Sequence, residues 1–186
     1  MINSMRNNTK VFIKEFAEQI REENHIKDYD SLVSFIYSIG GRIEKAESLW
    51  DFGAIEKESE HNFILYKDMF DRNKKNLYKL FAECLGNLFL HLGFLYFELN
   101  LSTWKDISKG EVFCTYEWNK EQNEQAIYFA HNLLLPEYEY RKIVKENTDE
   151  KGMVNMKNVA EYFNVSTPLA INRGIRLRIL KSDLDY

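Results

Sequence analysis

A chain of 186 residues is long enough to bury one hydrophobic core and too short for two ordinary domains joined by a linker. Hydrophobic residues at 45%, charged residues at 29% and aromatic residues at 15% exclude a disordered chain and predict a core rich in Phe and Tyr. A formal net charge of −4 supplies no long-range attraction to nucleic acid or to an anionic membrane, so any DNA contact has to come from a local basic patch.

In chain order, Val11, Phe12, Phe16 and Ile20 recur at helical spacing and predict a helix over residues 10–22. Residues 29–39 repeat the pattern after a polar link, and Gly40-Gly41 ends this second helix. Residues 42–49 and 62–66 read as short strands around a polar loop at 56–61. A polar run at 71–76 leads into residues 77–97, the most apolar part of the chain, interrupted by Lys79, Glu83, Asn87 and His91. Those four fall at intervals of four, so on a helix they form one narrow polar stripe along a buried rod. A lipid-facing helix would not carry such a stripe, and the membrane-span reading is rejected in favour of a central core helix beside a cleft.

Residues 101–109 read as a loop, 111–118 as a strand, and 121–135 as a helix closed by Pro136. A charged helix at 137–146 precedes a polar turn at 147–152 and two short helices, 157–163 and 168–180, separated by Asn164-Val165-Ser166. The expected fold is α+β, mainly helical with a small sheet. Its main domain is 1–150, with a C-terminal helical pair at 151–186, spaced like a helix-turn-helix and packed on that domain. Cys84 and Cys114 lack zinc-finger spacing and read as reduced, buried thiols. The polar first ten residues lack an apolar signal-peptide segment, and a cytoplasmic location is expected. No phosphate loop, nucleophile elbow or dinucleotide fingerprint occurs.

Three segments resemble the ImmA/IrrE family of metallopeptidases. Leu80-Phe81-Ala82-Glu83-Cys84-Leu85-Gly86-Asn87-Leu88-Phe89-Leu90-His91 is similar to the family's F-T-L-A-H-E-L-G-H-L-L-L-H signature. Gln125-Ala126-Ile127-Tyr128-Phe129-Ala130-His131-Asn132-Leu133-Leu134-Leu135-Pro136 resembles its E-A-N-x-F-A-A-E-L-L-M-P segment. Val159-Ala160-Glu161-Tyr162-Phe163-Asn164-Val165-Ser166 resembles L-A-x-x-F-x-V-S ahead of the closing helix. Together they cover roughly 77–180 in the family's order, and the resemblance implies a zincin-like fold.

The chemistry departs from the family's. An HExxH helix places two zinc-binding imidazoles on one face with a glutamate between them as general base. The corresponding positions here are Glu83, Cys84 and Asn87, and the position of the third ligand is Asn123, with Glu124 beside it. Carboxamide oxygens are poor zinc ligands and one carboxylate cannot replace three donors, so the zinc that the resemblance implies has lost its ligands and no metal site is assigned.

The expected remnant is a vestigial pocket of Glu83, Cys84, Asn87, His91, Asn123 and Glu124. The same residues also read plainly as a hydrogen-bonded seam in a core helix, and a residual metal site through Glu83, His91, His131 or Glu124 stays open. His25 and His61 sit in polar loops, and Cys84 lacks a base to make it a nucleophile. Arg173, Arg176, Arg178 and Lys181 make the last helix basic, which suits phosphate contacts or a solvated helix end.

Typical family members act beside helix-turn-helix repressors of prophages and mobile elements. The resemblance therefore implies a catalytically degenerate, protein-binding regulator of such a repressor. A peptidase with an altered metal site and a DNA-binding regulator are the alternatives.

Overall fold

Ile13, Ala17 and Ile20 stack on one side of a helix that runs over Asn7–Glu23 (α1) in the computed structural model, which describes residues 5–47, 53–94 and 103–181. The second helix, Tyr29–Ser38 (α2), begins with a reciprocal cap. The Asp28 carboxylate accepts the Ser31 N–H at 2.8 Å, while the Ser31 hydroxyl accepts the Asp28 N–H at 3.0 Å. The hydrogen bonds that the carboxylate accepts from the Ser31 N–H, and from its hydroxyl at 2.8 Å, lower the Asp28 pKa. Gly40 then turns the chain with φ at +88°, a conformation a side chain would resist, and a Cβ there would meet the His61 carbonyl.

Four strands follow the turn: Gly41–Ala46 (β1), Ala54–Lys57 (β2), Phe63–Asp68 (β3) and, much later, Val112–Cys114 (β4). Their order is β1-β3-β2-β4, with β1 parallel to β3 and β2 antiparallel to both β3 and β4. This corrects the expected polar loop at 56–61, because its first two residues belong to β2. The expected strand at 42–49 ends at Ala46, and its last two positions lie outside the described residues.

Period-two alternation puts Ile55, Phe63 and Leu65 on one face of the sheet, fully buried. Against that face lies Lys74–Leu90 (α3), opened by the Asn73 side chain, which accepts the Lys75 N–H at 3.0 Å. The helix stops short of the expected residue 97. His91 is its C-cap, Gly93 adopts φ of +66°, and residues 95–97 lie outside the described set. Among the described residues, no helix is long and apolar enough to cross a membrane.

The region read as a loop contains a single helical turn, Thr103–Asp106 (α4), whose Trp104 is buried. Lys57 holds it: its buried ammonium donates to the carbonyls of Trp104 (2.5 Å) and Ile107 (2.7 Å). A 3-10 turn at Thr115–Glu117 replaces the second half of the expected strand at 111–118. Lys120–Leu134 (α5) then starts from a second reciprocal cap, between Asn119 and Gln122.

Helices α3 and α5 run in opposite directions, since His91 meets Gln122 while Gly86 meets Ala126. A Cβ at Gly86 would sit 3.0 Å from both Cα and O of Ala126, so the two backbones approach as closely as glycine permits. Helix α1 covers another side of α5, with Phe16 tilted on Phe129 and edge-on to Phe89. Glu137–Glu146 (α6), Met156–Tyr162 (α7) and Thr167–Arg176 (α8) complete the chain, the last ending earlier than expected. Val159, Phe163, Leu169 and Ala170 join the same buried cluster as Phe129, Leu133 and Tyr140, so the C-terminal pair shares the core of the rest.

Gly86→Val should force α3 and α5 apart at a cost of about 2 kcal/mol, lowering Tm by about 4–8 °C in a thermal melt. An unchanged Tm would refute the close crossing.

Candidate functional site

Side chains four apart on α3 do line one face, and their surroundings change along it. At the first end, the Lys79 ammonium grips both carboxylate oxygens of Glu83, at 2.8 and 3.0 Å. Both residues are half-buried. One turn on, Asn87 is only 1% exposed, and its Oδ1 is buried without a hydrogen-bond partner. At the far end, the His91 Nε2 lies 3.1 Å from the carbonyl of Gln122, and its ring rests on Trp118 with centroids 5.5 Å apart. Burial lowers the His91 pKa, and the hydrogen bond to that carbonyl offsets part of the effect.

Asn123 joins this end, its amide donating to the Trp118 carbonyl at 3.0 Å. His91, Trp118, Gln122 and Asn123 therefore form one cluster where the C-terminus of α3 meets the N-terminus of α5. Glu124 is the next residue of α5 and is half-buried.

Cys84 leaves this group. It follows Glu83 by about 100° of helical rotation and turns to the sheet, where a Cβ on Gly53 would lie 2.7 Å from its sulfur. Burial raises its thiol pKa, with the Glu83 carboxylate adding to the effect, so it packs as a small apolar group.

Glu83, Asn87 and Asn123, the positions to which the resemblance would assign ligands, thus offer a carboxylate held by Lys79, a buried carboxamide, and a carboxamide turned toward Trp118. This set does not suit zinc, which favours imidazole, thiolate or free carboxylate. Among the described residues, no three His, Cys, Asp or Glu side chains come together in a way that could hold a metal ion. His91 is tied to Gln122, while His131 lies on α5 near the opposite end of the stripe, where the charge of Lys79 acts on it.

His131 is buried, and its Nδ1 has no partner. Burial, then the charges of Arg176, Arg173 and Lys79, push its pKa down to about 3. The folded protein therefore keeps the ring neutral while the unfolded chain protonates it near the usual 6.5. Stability attached to this group is fully present above about pH 6.5 and is lost as pH falls toward 3, at up to about 1.4 kcal/mol per pH unit. In the intact protein at pH 5, an NMR titration should show the His131 ring neutral, and His131→Asn should flatten the acid limb of a stability profile.

Arg173 corrects the basic-patch expectation. It is 1% exposed, with Nε donating to the Leu135 carbonyl at 2.9 Å and Nη2 to the Asn132 Oδ1 at 2.7 Å. Burial pushes its pKa down to about 10. A guanidinium committed to the end of α5 cannot reach a phosphate. Arg176, Arg178 and Lys181 are exposed. Arg173→Ala should strand two buried acceptors and destabilise the protein by about 3 kcal/mol in urea unfolding, against about 0.5 kcal/mol or less for Arg176→Ala.

No family model matches this chain, and no curated protein matches it. Sequence reasoning passed over Trp118 and Gln122. It also passed over a cavity of about 380 Å³ lined by residues of α1, α6 and α7. Nothing in the sequence marks the cavity, because Glu18 and Glu22 have the spacing of any solvated helix face.

Proposed function

We propose that this chain is a non-catalytic, protein-binding regulator. Its scaffold is similar to that of the ImmA/IrrE peptidases, and its partner is a helix-turn-helix repressor of a phage or mobile element. The supporting observation is the α3 stripe. The positions where the resemblance implies two imidazoles and a general base carry Glu83, clasped by Lys79, a buried Asn87, and Cys84 turned into the sheet.

Water activation for peptide hydrolysis needs a Lewis acid and a free carboxylate acting on one water. Neither arrangement is available from these side chains as they lie. The half-buried ends of the stripe, Lys79 with Glu83 and His91, suit hydrogen bonding to a partner better than chemistry on it.

DNA contact is a second reading, favoured by the exposed Arg176 at the end of α8 and by Arg178 and Lys181 beyond it. It is weakened by the burial of Arg173, which removes one of the four cations expected to touch phosphate.

Two measurements on untagged protein expressed with zinc test the proposal. Elemental mass spectrometry should find well under one zinc per chain. Incubation with a helix-turn-helix repressor of a phage or mobile element should give a complex whose repressor keeps its full intact mass. About one zinc per chain, lost in a Glu83→Ala/Glu124→Ala variant, together with a cleaved repressor, would establish the peptidase with an altered site instead.

A further inference from the structure

The cavity of about 380 Å³ lies between the second half of α1, the first turns of α6 and the end of α7. It shares no residue with the α3 stripe, so a ligand bound here is independent of the regulator function proposed for that stripe. Glu18, Arg21 and Glu22 line one side, and Tyr138, Glu139 and Tyr162 are among those lining the other. Tyr138 is 86% exposed, and Tyr162, also exposed, is held by an edge contact with Phe163, so two phenol rings stand at the mouth. Uncovered tyrosines beside a pocket are the usual anchors of a protein interface.

Charge decides what the pocket accepts. Arg21 is already committed: Nη1 donates to the Leu133 and Leu134 carbonyls at 3.0 and 3.4 Å, and Nη2 lies 3.6 Å from Glu139. Glu139 also accepts the Tyr162 hydroxyl at 2.9 Å. Lys142 reaches along α6 to Glu146 at 4.0 Å. Glu18 accepts the first N–H of α6, from Glu137, through one oxygen only. Neither Glu18 nor Glu22 forms an ion pair among the described residues. Glu18 also acts on Lys14, and Lys142 points along α6 toward Glu146, so the carboxylates of Glu22 and Glu18 leave the α1 side of the cavity negative, beside aromatic rings that favour a cation.

We propose that this cavity is a docking point for a basic side chain, Arg or Lys, carried by a partner polypeptide, received by the rings of Tyr138 and Tyr162 and the carboxylates of Glu18 and Glu22. The volume suits one long side chain with its flanking backbone rather than a folded element. The net charge of −4 on the whole chain adds attraction for a basic partner at low salt.

The test is a titration of the isotope-labelled full chain followed by NMR, with three probes: N-acetyl-arginine N-methylamide, the matching citrulline compound, and free arginine. The blocked arginine should give saturable shifts at residues 18–22, 138–142 and 162, with a millimolar Kd as expected of a single side chain. Blocked citrulline, which keeps the shape and loses the charge, should bind at least threefold more weakly. Glu22→Gln and Tyr138→Ala, both at exposed positions that the fold does not need, should each raise the Kd by roughly threefold. Equal binding of citrulline would overturn the charge argument, and binding of free arginine alone would make this an amino-acid site. Shifts elsewhere, or none, would remove the site.

Discussion

The approach of α3 to α5 at Gly86 and Ala126 is the constraint on which the rest of the molecule depends. With no Cβ on one helix and only a methyl on the other, the two backbones come close enough to fix both the rotation and the translation of the pair. Everything else is placed relative to that pair. The sheet takes the face of α3 that carries Cys84, α1 takes a face of α5 through the Phe16 contacts, and the C-terminal helices close over the end of α5. The same crossing brings His91 to Gln122, so the polar cluster at the end of the stripe results from backbone packing and not from side-chain attraction.

Two buried cations hold the parts that hydrophobic packing leaves loose. Lys57 and Arg173 are each almost fully buried without an ion pair to a carboxylate among the described residues: Lys57 donates to backbone carbonyls, and Arg173 to one backbone carbonyl and the Asn132 side-chain oxygen. An isolated buried charge is costly, but carbonyls at a helix end carry partial negative charge that nothing else in the helix uses. Arg173 meets the carbonyl of Leu135, the C-cap of α5, and so docks α8 onto the end of another helix. Lys57 does the same for the single turn of α4, joining β2 to a segment too short to fold by itself.

These contacts also explain which parts of the fold the sequence made legible. Helices α1, α5 and α6 fall within a few residues of where the sequence puts them, while α3 starts three residues early and ends seven short of the apolar run, at the His91 cap. Strand β2 did not show, because Ala54–Lys57 is four residues long, half of them charged, and Lys57 is buried by a partner nearly fifty positions away. Nor could a linear reading find the parallel pairing of β1 with β3, which depends on β2 lying on the far side of β3. Arg173 was misread by charge alone, although its position contained the correction. It sits four residues after Leu169 and three after Ala170, on the buried face of α8. Cys84 likewise falls on the side of α3 that carries Phe81 and Leu88, away from the vestigial pocket that it was expected to line.

The stripe itself is where stability and recognition pull apart. Its two ends are satisfied, by an ion pair at Lys79–Glu83 and by a carbonyl at His91, but Asn87 leaves an acceptor buried and unmatched between them. A stranded buried acceptor costs about 1–3 kcal/mol, and leucine at 87 would fill similar space without that cost. The facing helix adds a second unmatched group, the His131 Nδ1, in an environment that keeps the ring neutral. A core shaped by packing alone would carry neither. Polar groups kept at a close helix crossing, where they subtract from stability, belong with the positions at which function departs from the rules of the fold. Both unmatched atoms are closed to solvent, so the parts of the stripe that face outward are its half-buried ends, Lys79 with Glu83 at one and His91 at the other.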